Sequence, residues 1–261
     1  MPGQWTLMPP YFLVFAFLTG VVGFRMGWRF KSRAALPVVQ GALGWTAFLV
    51  AWSFVGPYWA ALAAGAWAVG TSLASIYVFF RSPAEADQRV VRAAEYRASM
   101  LDWLATGRGP ESRPAATLAQ HAREVIWYTA AAMLTGNLAS LVMGAVLLNY
   151  MNAYVATLLR AATHTARVAL LAWNVWSLVR VAAYLAIGAA SAGPLLRIMG
   201  LPVVSQPLRV LATAGAIGAV ADLVLKLALS KRCGRALATA VDLEAARANR
   251  PSGELQSLHL D

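Results

Sequence analysis

The chain has 261 residues, of which 59% are apolar and 13% charged, and its net charge at pH 7 is +11. A soluble domain averages roughly 45–50% apolar and about 25% charged residues. This composition, with a mean hydropathy of +0.58, therefore excludes an ordinary water-soluble fold, and the single cysteine, Cys233, excludes an internal disulfide framework or a paired-thiolate site.

A spanning helix needs about 20 mostly apolar residues. Residues 10–27 are the first such run. No basic residue precedes it and no small-residue cleavage site follows it, so it is expected to be a retained membrane helix rather than a leader. Arg25, Arg29, Lys31 and Arg33 come next. Basic residues collect in cytoplasmic loops, which predicts an outside N-terminus. Residues 36–54 and 59–80 form two further spans, and Gly56-Pro57 predicts a tight turn between them. Residues 1–80 thus form an N-terminal unit of three membrane helices.

Residues 81–124 are polar, with seven arginines and six acids. They read as a cytoplasmic helical insertion. Ser82-Pro83-Ala84-Glu85 predicts a helix start in which serine caps, proline takes the first helical position and glutamate closes the box. Val90, Val91, Ala94, Leu101 and Leu104 fall on one helical face. Gly107-Arg108-Gly109-Pro110 ends that helix, and a second short one is expected from Ala115. Arg89, Arg92 and Arg97 alternate with Glu85, Asp87, Glu95 and Asp102. That mixture suits a salt-bridged helix rather than a DNA-binding stripe, and makes the three arginines candidates for docking a partner subunit.

Residues 125–230 hold the C-terminal membrane helices. The run 125–159 is too long for one untilted span, and a span over 125–148 followed by a break at Asn149 and Asn152 is expected. Residues 168–190 form the next span, ended by Gly193-Pro194, and residues 208–229 the last. Six simple spans would leave the C-terminus outside, yet the tail 231–261 opens on Lys231, Arg232 and Arg235, a signature of the inside. The conflict disappears if 125–159 enters and leaves on one side as a re-entrant or broken pair. Such breaks are tolerated where protein or a water-filled cavity satisfies the backbone, so this stretch is a candidate pathway-lining element. The expectation is an all-α polytopic transmembrane bundle of about six segments with a cytoplasmic insertion, in the cell membrane.

Walker-type glycine loops, HExxH, CxxC and Gly-x-Ser-x-Gly are all missing, and Asp222 is the one acid inside an apolar run. The chain is read as not an enzyme, with no catalytic or metal residues and no cofactor. Intramembrane ionisable groups are costly and usually functional. Asp222 and Lys226 stand four apart and share a helix face, either as a neutralised pair or as a proton or ion relay. Arg180 lies near the middle of its predicted span, with Asp222 its best partner by depth, either as a structural bridge or lining an anion path. Asn137, Asn149, Asn152 and Tyr154 could line a polar conduit or bond between helices. Gly136, Ser140 and Gly144 form a small-residue stripe suited to close packing.

The plan of an outside N-terminus, an early helical hairpin, the arginine-rich segment 81–124 and the asparagines of segment four resembles the polytopic component of the archaeal DNA-import (Ced) system, a relative of conjugation inner-membrane proteins. The resemblance covers the whole chain at the level of architecture. It implies DNA as cargo, small partner membrane subunits and a cytoplasmic ATPase. The C-terminal half, through Asn137 and Asn152-Ala153-Tyr154, also resembles the sporulation stage-two M-type membrane proteins. Three functions follow as expectations: a DNA-transfer channel subunit, an autonomous small-solute or ion transporter using Arg180, Asp222 and Lys226, or a membrane scaffold. Membrane lipid is a partner in each, and a homo-oligomer is compatible with all.

Overall fold

A backbone in hydrocarbon must satisfy its own polar groups, which restricts an apolar chain to helices or closed barrels. The computed structural model takes the helical solution. It describes residues 9–108 and 114–248, and among these the one extended pairing is an isolated antiparallel bridge, Ala162 with Val241. Eleven helices are described: α1 (Pro9–Arg29), α2 (Ala35–Val55), α3 (Pro57–Arg81), α4 (Pro83–Arg89), α5 (Ala93–Thr106), α6 (Pro114–Thr135), α7 (Leu138–Arg160), α8 (Thr165–Ala172), α9 (Val175–Ile198), α10 (Ser205–Ala238) and α11 (Leu243–Ala248). Six of them, α1, α2, α3, α7, α9 and α10, are long and apolar enough to cross a membrane. The protein is a multi-pass, all-α membrane protein. Its outer faces expose Leu18, Val22, Leu62, Val69, Leu73, Val220 and Val224, which in a bilayer meet lipid.

The first three helices pack tightly because small residues let backbones approach. A Cβ built on Gly20 would lie 2.3 Å from the Trp67 carbonyl oxygen, and one on Gly70 would lie 2.1 Å from that of Phe17. α1 and α3 therefore interlock at two glycines. Gly56, at φ +91°, makes the turn between α2 and α3, and its N–H closes α2 on the Ala51 and Trp52 carbonyls.

The stretch after the insertion forms a hairpin. Gly136 and Asn137 take successive left-handed conformations, at φ 56° and 79°, and the Asn137 N–H bonds to the Ala132 carbonyl at 3.0 Å, closing α6. The chain then returns. A Cβ on Gly144 would meet the Tyr128 hydroxyl at 4.0 Å, so α7 runs back beside α6. The tip lies at depth: the Trp45 indole, at the midpoint of α2, donates to the Gly136 carbonyl at 2.8 Å. The far end of the bundle lies beyond it, where the Trp52 indole donates to the Pro202 carbonyl, between α9 and α10, at 2.9 Å. The hairpin thus enters and leaves at one end of the bundle, and its tip also reaches Leu195 and Leu196 in the last turn of α9.

The basic stretches lie together. Arg33 donates to the Gln88 carbonyl at 2.5 Å and Arg89 to the Trp28 carbonyl at 3.2 Å. Gly234 of α10 lies against the Trp103 ring of α5, and the Ala162–Val241 bridge ties the segment after α7 to the chain after α10. The ends of α1, α7 and α10, the start of α2, and α4, α5 and α11 converge on this basic end.

Several expected boundaries move. The break falls at Gly136-Asn137, where left-handed backbone reverses the chain, and not at Asn149 and Asn152, which lie inside α7. α6 starts at Pro114 and runs unbroken past Glu124 into the bundle, so it is neither short nor confined to the insertion. Pro194 lies within α9 instead of ending it; the helix ends at Ile198 with Met199 as its cap, before Gly200, which has φ +81°. The span expected from 168 is split at Trp173-Asn174, where Asn174 has extended ψ 136°, and Arg180 therefore sits in the second turn of α9. α10 continues through Lys231, Arg232 and Arg235 to Ala238. The insertion helix is broken at Val90–Arg92, with Arg92 left-handed at φ 62°, and Ser82 makes no side-chain cap bond. Glu85 pairs with Arg89 at 3.0 Å in place of closing a box. Within the tail Leu243–Ala248 form α11, and residues 249–261 and Gly109-Pro110 lie outside the described residues.

A candidate binding cavity at the α6–α7 hairpin

The hairpin packs on α3 and α9, and a cavity of about 210 Å³ lies among them. Residues of α3, α5, α6, α7, α9 and α10 line it, among them Arg92, Glu95, Gln120, Glu124, Tyr128, Arg180, Tyr184 and Lys226. It reaches from α5 at the basic end to Trp67 in the middle of α3.

Arg180 is the central group. Its Nε donates to Asp222 Oδ2 at 2.7 Å and its Nη2 to Oδ1 at 3.2 Å. This bidentate, charge-assisted arrangement is the strong form of an ion pair. The Asp222 side chain is 1% exposed and that of Arg180 24%, so the carboxylate lies behind and the guanidinium lines the cavity. His121 of α6 comes from the other side, its Nδ1 3.4 Å from Asp222 Oδ2 and its Nε2 3.2 Å from the Ala219 carbonyl oxygen. The triad ties three helices together. Removing one partner of such a buried pair costs about 3–5 kcal/mol, because the other charge is left uncompensated.

A second polar chain lies above the first. Gln120 donates to Glu124 Oε1 at 2.8 Å, and the Tyr184 hydroxyl donates to Glu124 Oε2 at 3.2 Å. The Tyr184 ring packs on Tyr128 at 5.0 Å and stacks on His121 at 6.1 Å. Gln120, His121, Glu124 and Tyr128 recur at three- and four-residue spacing, which places them on one face of α6. That spacing is the sequence signal for these residues, and it was masked by their position in a stretch read as cytoplasmic. At the mouth, Arg92 bonds Glu95 through two nitrogens, at 3.1 and 3.2 Å. The pair holds the Arg92 guanidinium above its ordinary value and the Glu95 carboxyl below the usual range, chiefly through these hydrogen bonds.

Of the predicted intramembrane residues, Arg180 and Asp222 meet and Lys226, one turn below Asp222, lines the same cavity. The asparagines lie elsewhere. Asn149 and Gln40 exchange amide hydrogen bonds at 2.6 and 3.2 Å, Asn152 donates to Ser75 at 2.7 Å, and Asn137 accepts from Ser140 at 2.5 Å. Tyr154 packs edge-on against Tyr96 at 5.9 Å. None of these four lines the cavity; the first two join α7 to α2 and α3. The insertion arginines are largely occupied. Arg97 and Asp87 form an ion pair with side chains 6% and 5% exposed, and Arg89 lies over the Trp28 ring at 4.7 Å. Arg97 therefore presents no charge to a partner, while Arg92 is exposed. Among the described residues no group of three or more His, Cys, Asp or Glu is placed to hold a metal.

No family model, no curated protein and no solved structure matches this chain, so the functional argument rests on the cavity.

Proposed function

We propose that the protein is a membrane transport subunit that binds a charged solute group in the cavity between the α6–α7 hairpin and α9. The observation that carries this reading is Arg180. It is a cation held by a buried carboxylate within an apolar helix, with its guanidinium on a cavity wall. A purely structural bridge has no need of an adjoining polar cavity, whereas intramembrane ionisable groups facing one typically mark a substrate path. Lys226 on α10 and the Gln120–Glu124–Tyr184 chain complete a site with both signs of charge. In this reading the basic end faces the cytoplasm, the N-terminus lies outside, and the hairpin tip separates the cavity from the far side.

The test is uptake by the purified protein in liposomes, using radiolabelled phosphate, sulfate, carboxylates and amino acids. Saturable uptake lost in Arg180→Gln and in Gly144→Leu, which fills the cavity beside Tyr128, supports the reading. Uptake equal in both variants and the parent contradicts it.

A second reading, a DNA-transfer subunit driven by a separate ATPase, draws on the exposed basic end formed by Arg25, Arg29, Lys31, Arg33, Lys231, Arg232 and Arg235. In it the strand passes between copies or partner subunits. Co-purification of an ATPase and small membrane proteins from native membranes is its test.

A further inference from the structure

His121 has an oxygen at each of its ring nitrogens. Nδ1 lies 3.4 Å from Asp222 Oδ2, and Nε2 lies 3.2 Å from the Ala219 carbonyl oxygen. Both oxygens belong to α10, and both are acceptors with no hydrogen to give. The histidine is buried, 9% exposed, and its ring stacks on Tyr184 of α9 at 6.1 Å.

A neutral imidazole carries one N–H and one bare lone pair. With the hydrogen on Nδ1, the Nε2 lone pair faces the Ala219 carbonyl. With the hydrogen on Nε2, the Nδ1 lone pair faces the carboxylate. Only the imidazolium has a donor for each acceptor, and hydrogen bonds to a charged form favour that form. The charged and titratable groups around the ring are Asp222 and Lys226 of α10, Arg180 and Tyr184 of α9, and Glu124 of α6. Arg180 and Lys226 oppose a further positive charge, and Asp222 and Glu124 favour it. These four balance in formal charge, so the two direct acceptors decide the outcome.

We propose that His121 is a proton-binding site that ties the α6–α7 hairpin to α10. Protonated, the ring donates to both oxygens and clasps α6 against α10. When the proton leaves, one of the two contacts becomes a pair of facing lone pairs, and the ring must release Ala219 or Asp222. Gln120, Glu124 and Tyr128 of the same helix line the cavity, so the proton sets how firmly that wall is held. The proton site does not depend on the transport reading, and its test uses no solute.

The test is thermal unfolding of the full chain in neutral detergent, from about pH 5.5 to about pH 8.5, which brackets the ordinary imidazole range. The variant is His121→Gln, whose amide does not titrate. The control is His164→Gln, because His164 is exposed. The unfolded ring lacks these two acceptors, so the folded state binds the proton more tightly and the tie stabilises on the acid side. The Tm of the parent is expected to exceed that of His121→Gln by about 2–4 °C at the acid end, and the difference to vanish at the alkaline end. His164→Gln should keep the pH dependence of the parent.

A difference equal at every pH would make the ring a neutral structural contact and overturn the proposal, as would no difference at any pH. If His121→Gln does not fold, nitrogen NMR of the histidine-labelled parent at about pH 6 decides. One ring with two slowly exchanging N–H protons is the imidazolium held by two acceptors. A single such proton, or none, would overturn the proposal.

Discussion

Asp222 is 1% exposed and held by Arg180 and His121, which makes the Arg180–Asp222 pair the most consequential ionic contact in the bundle. Arg180→Met leaves the carboxylate behind the cavity wall with His121 as its remaining partner among these two. The cost of uncovering a buried charge is about 3–5 kcal/mol. His121 still approaches Asp222 at 3.4 Å, so the lower end, about 3 kcal/mol, is expected. For a chain of this size that corresponds to a Tm lower by on the order of 6–12 °C, readable by thermal unfolding in detergent. Asp222→Leu strands the guanidinium in the same way. The double variant Arg180→Met/Asp222→Leu removes both charges, and replacing a buried pair with apolar groups is often near neutral. The cycle should therefore return a coupling of at least about 2 kcal/mol, while ligand binding stays lost in all three variants. Single-variant losses below about 0.5 kcal/mol, within the range of ordinary surface changes, would refute the reasoning. Such values would mean that the pair is hydrated from the cavity and holds nothing in place.

Other consequences follow from contacts away from the cavity. Gly70→Val should destabilise the protein by more than the about 1–3 kcal/mol of ordinary overpacking, because its Cβ would fall 2.1 Å from the Phe17 carbonyl oxygen and no side chain can yield; thermal unfolding measures it. Arg97→Ala strands Asp87 in the insertion and should cost about 3–5 kcal/mol, with early proteolysis of α4 and α5 as the readout. Asn149→Leu leaves Gln40 without its amide partner and should cost about 1–2 kcal/mol, recovered in the Gln40→Leu/Asn149→Leu pair. The Glu95 carboxyl is held below its usual range by Arg92, so its contribution is present above the unfolded value and fades as pH falls through the lower folded one. The pair is exposed and its contribution is small. Glu95→Gln should flatten only that acidic limb of a stability–pH profile.

Much of the architecture was legible in the sequence because it follows from apolar run length. The first three spans lie within a few residues of α1, α2 and α3, and the tight turn at Gly56 is as expected. The fourth segment is two helices, α6 and α7, that reverse at Gly136-Asn137. The position of its break was misplaced for a physical reason. Asn149 and Asn152 look like interruptions of an apolar run, but Gln40 and Ser75 satisfy them across helices, and helical periodicity within one segment carries no record of cross-helix partners. The real reversal depends on left-handed backbone at Gly136 and Asn137, two residues that had been assigned to packing and to a conduit. Half of the cavity was visible for the opposite reason: Arg180, Asp222 and Lys226 stand out in apolar surroundings. Gln120, His121 and Glu124 sit in a polar stretch where charge is unremarkable, and only the run of α6 into the bundle brings them to Asp222 and Tyr184.

The α6–α7 hairpin walls the cavity, so the sidedness of its two ends is the central test. In a Cys233→Ser background, single cysteines at Ser32, Tyr58, Thr163 and Thr239 are treated with a membrane-impermeant maleimide on sealed vesicles of known orientation. Ser32, Thr163 and Thr239 are exposed at the basic end, and Tyr58 is exposed at the other. The account predicts that the first three label from one side and Tyr58 from the opposite side. Labelling of Thr163 from the side of Tyr58 would make α6 and α7 one continuous crossing, and the cavity beneath them would not exist.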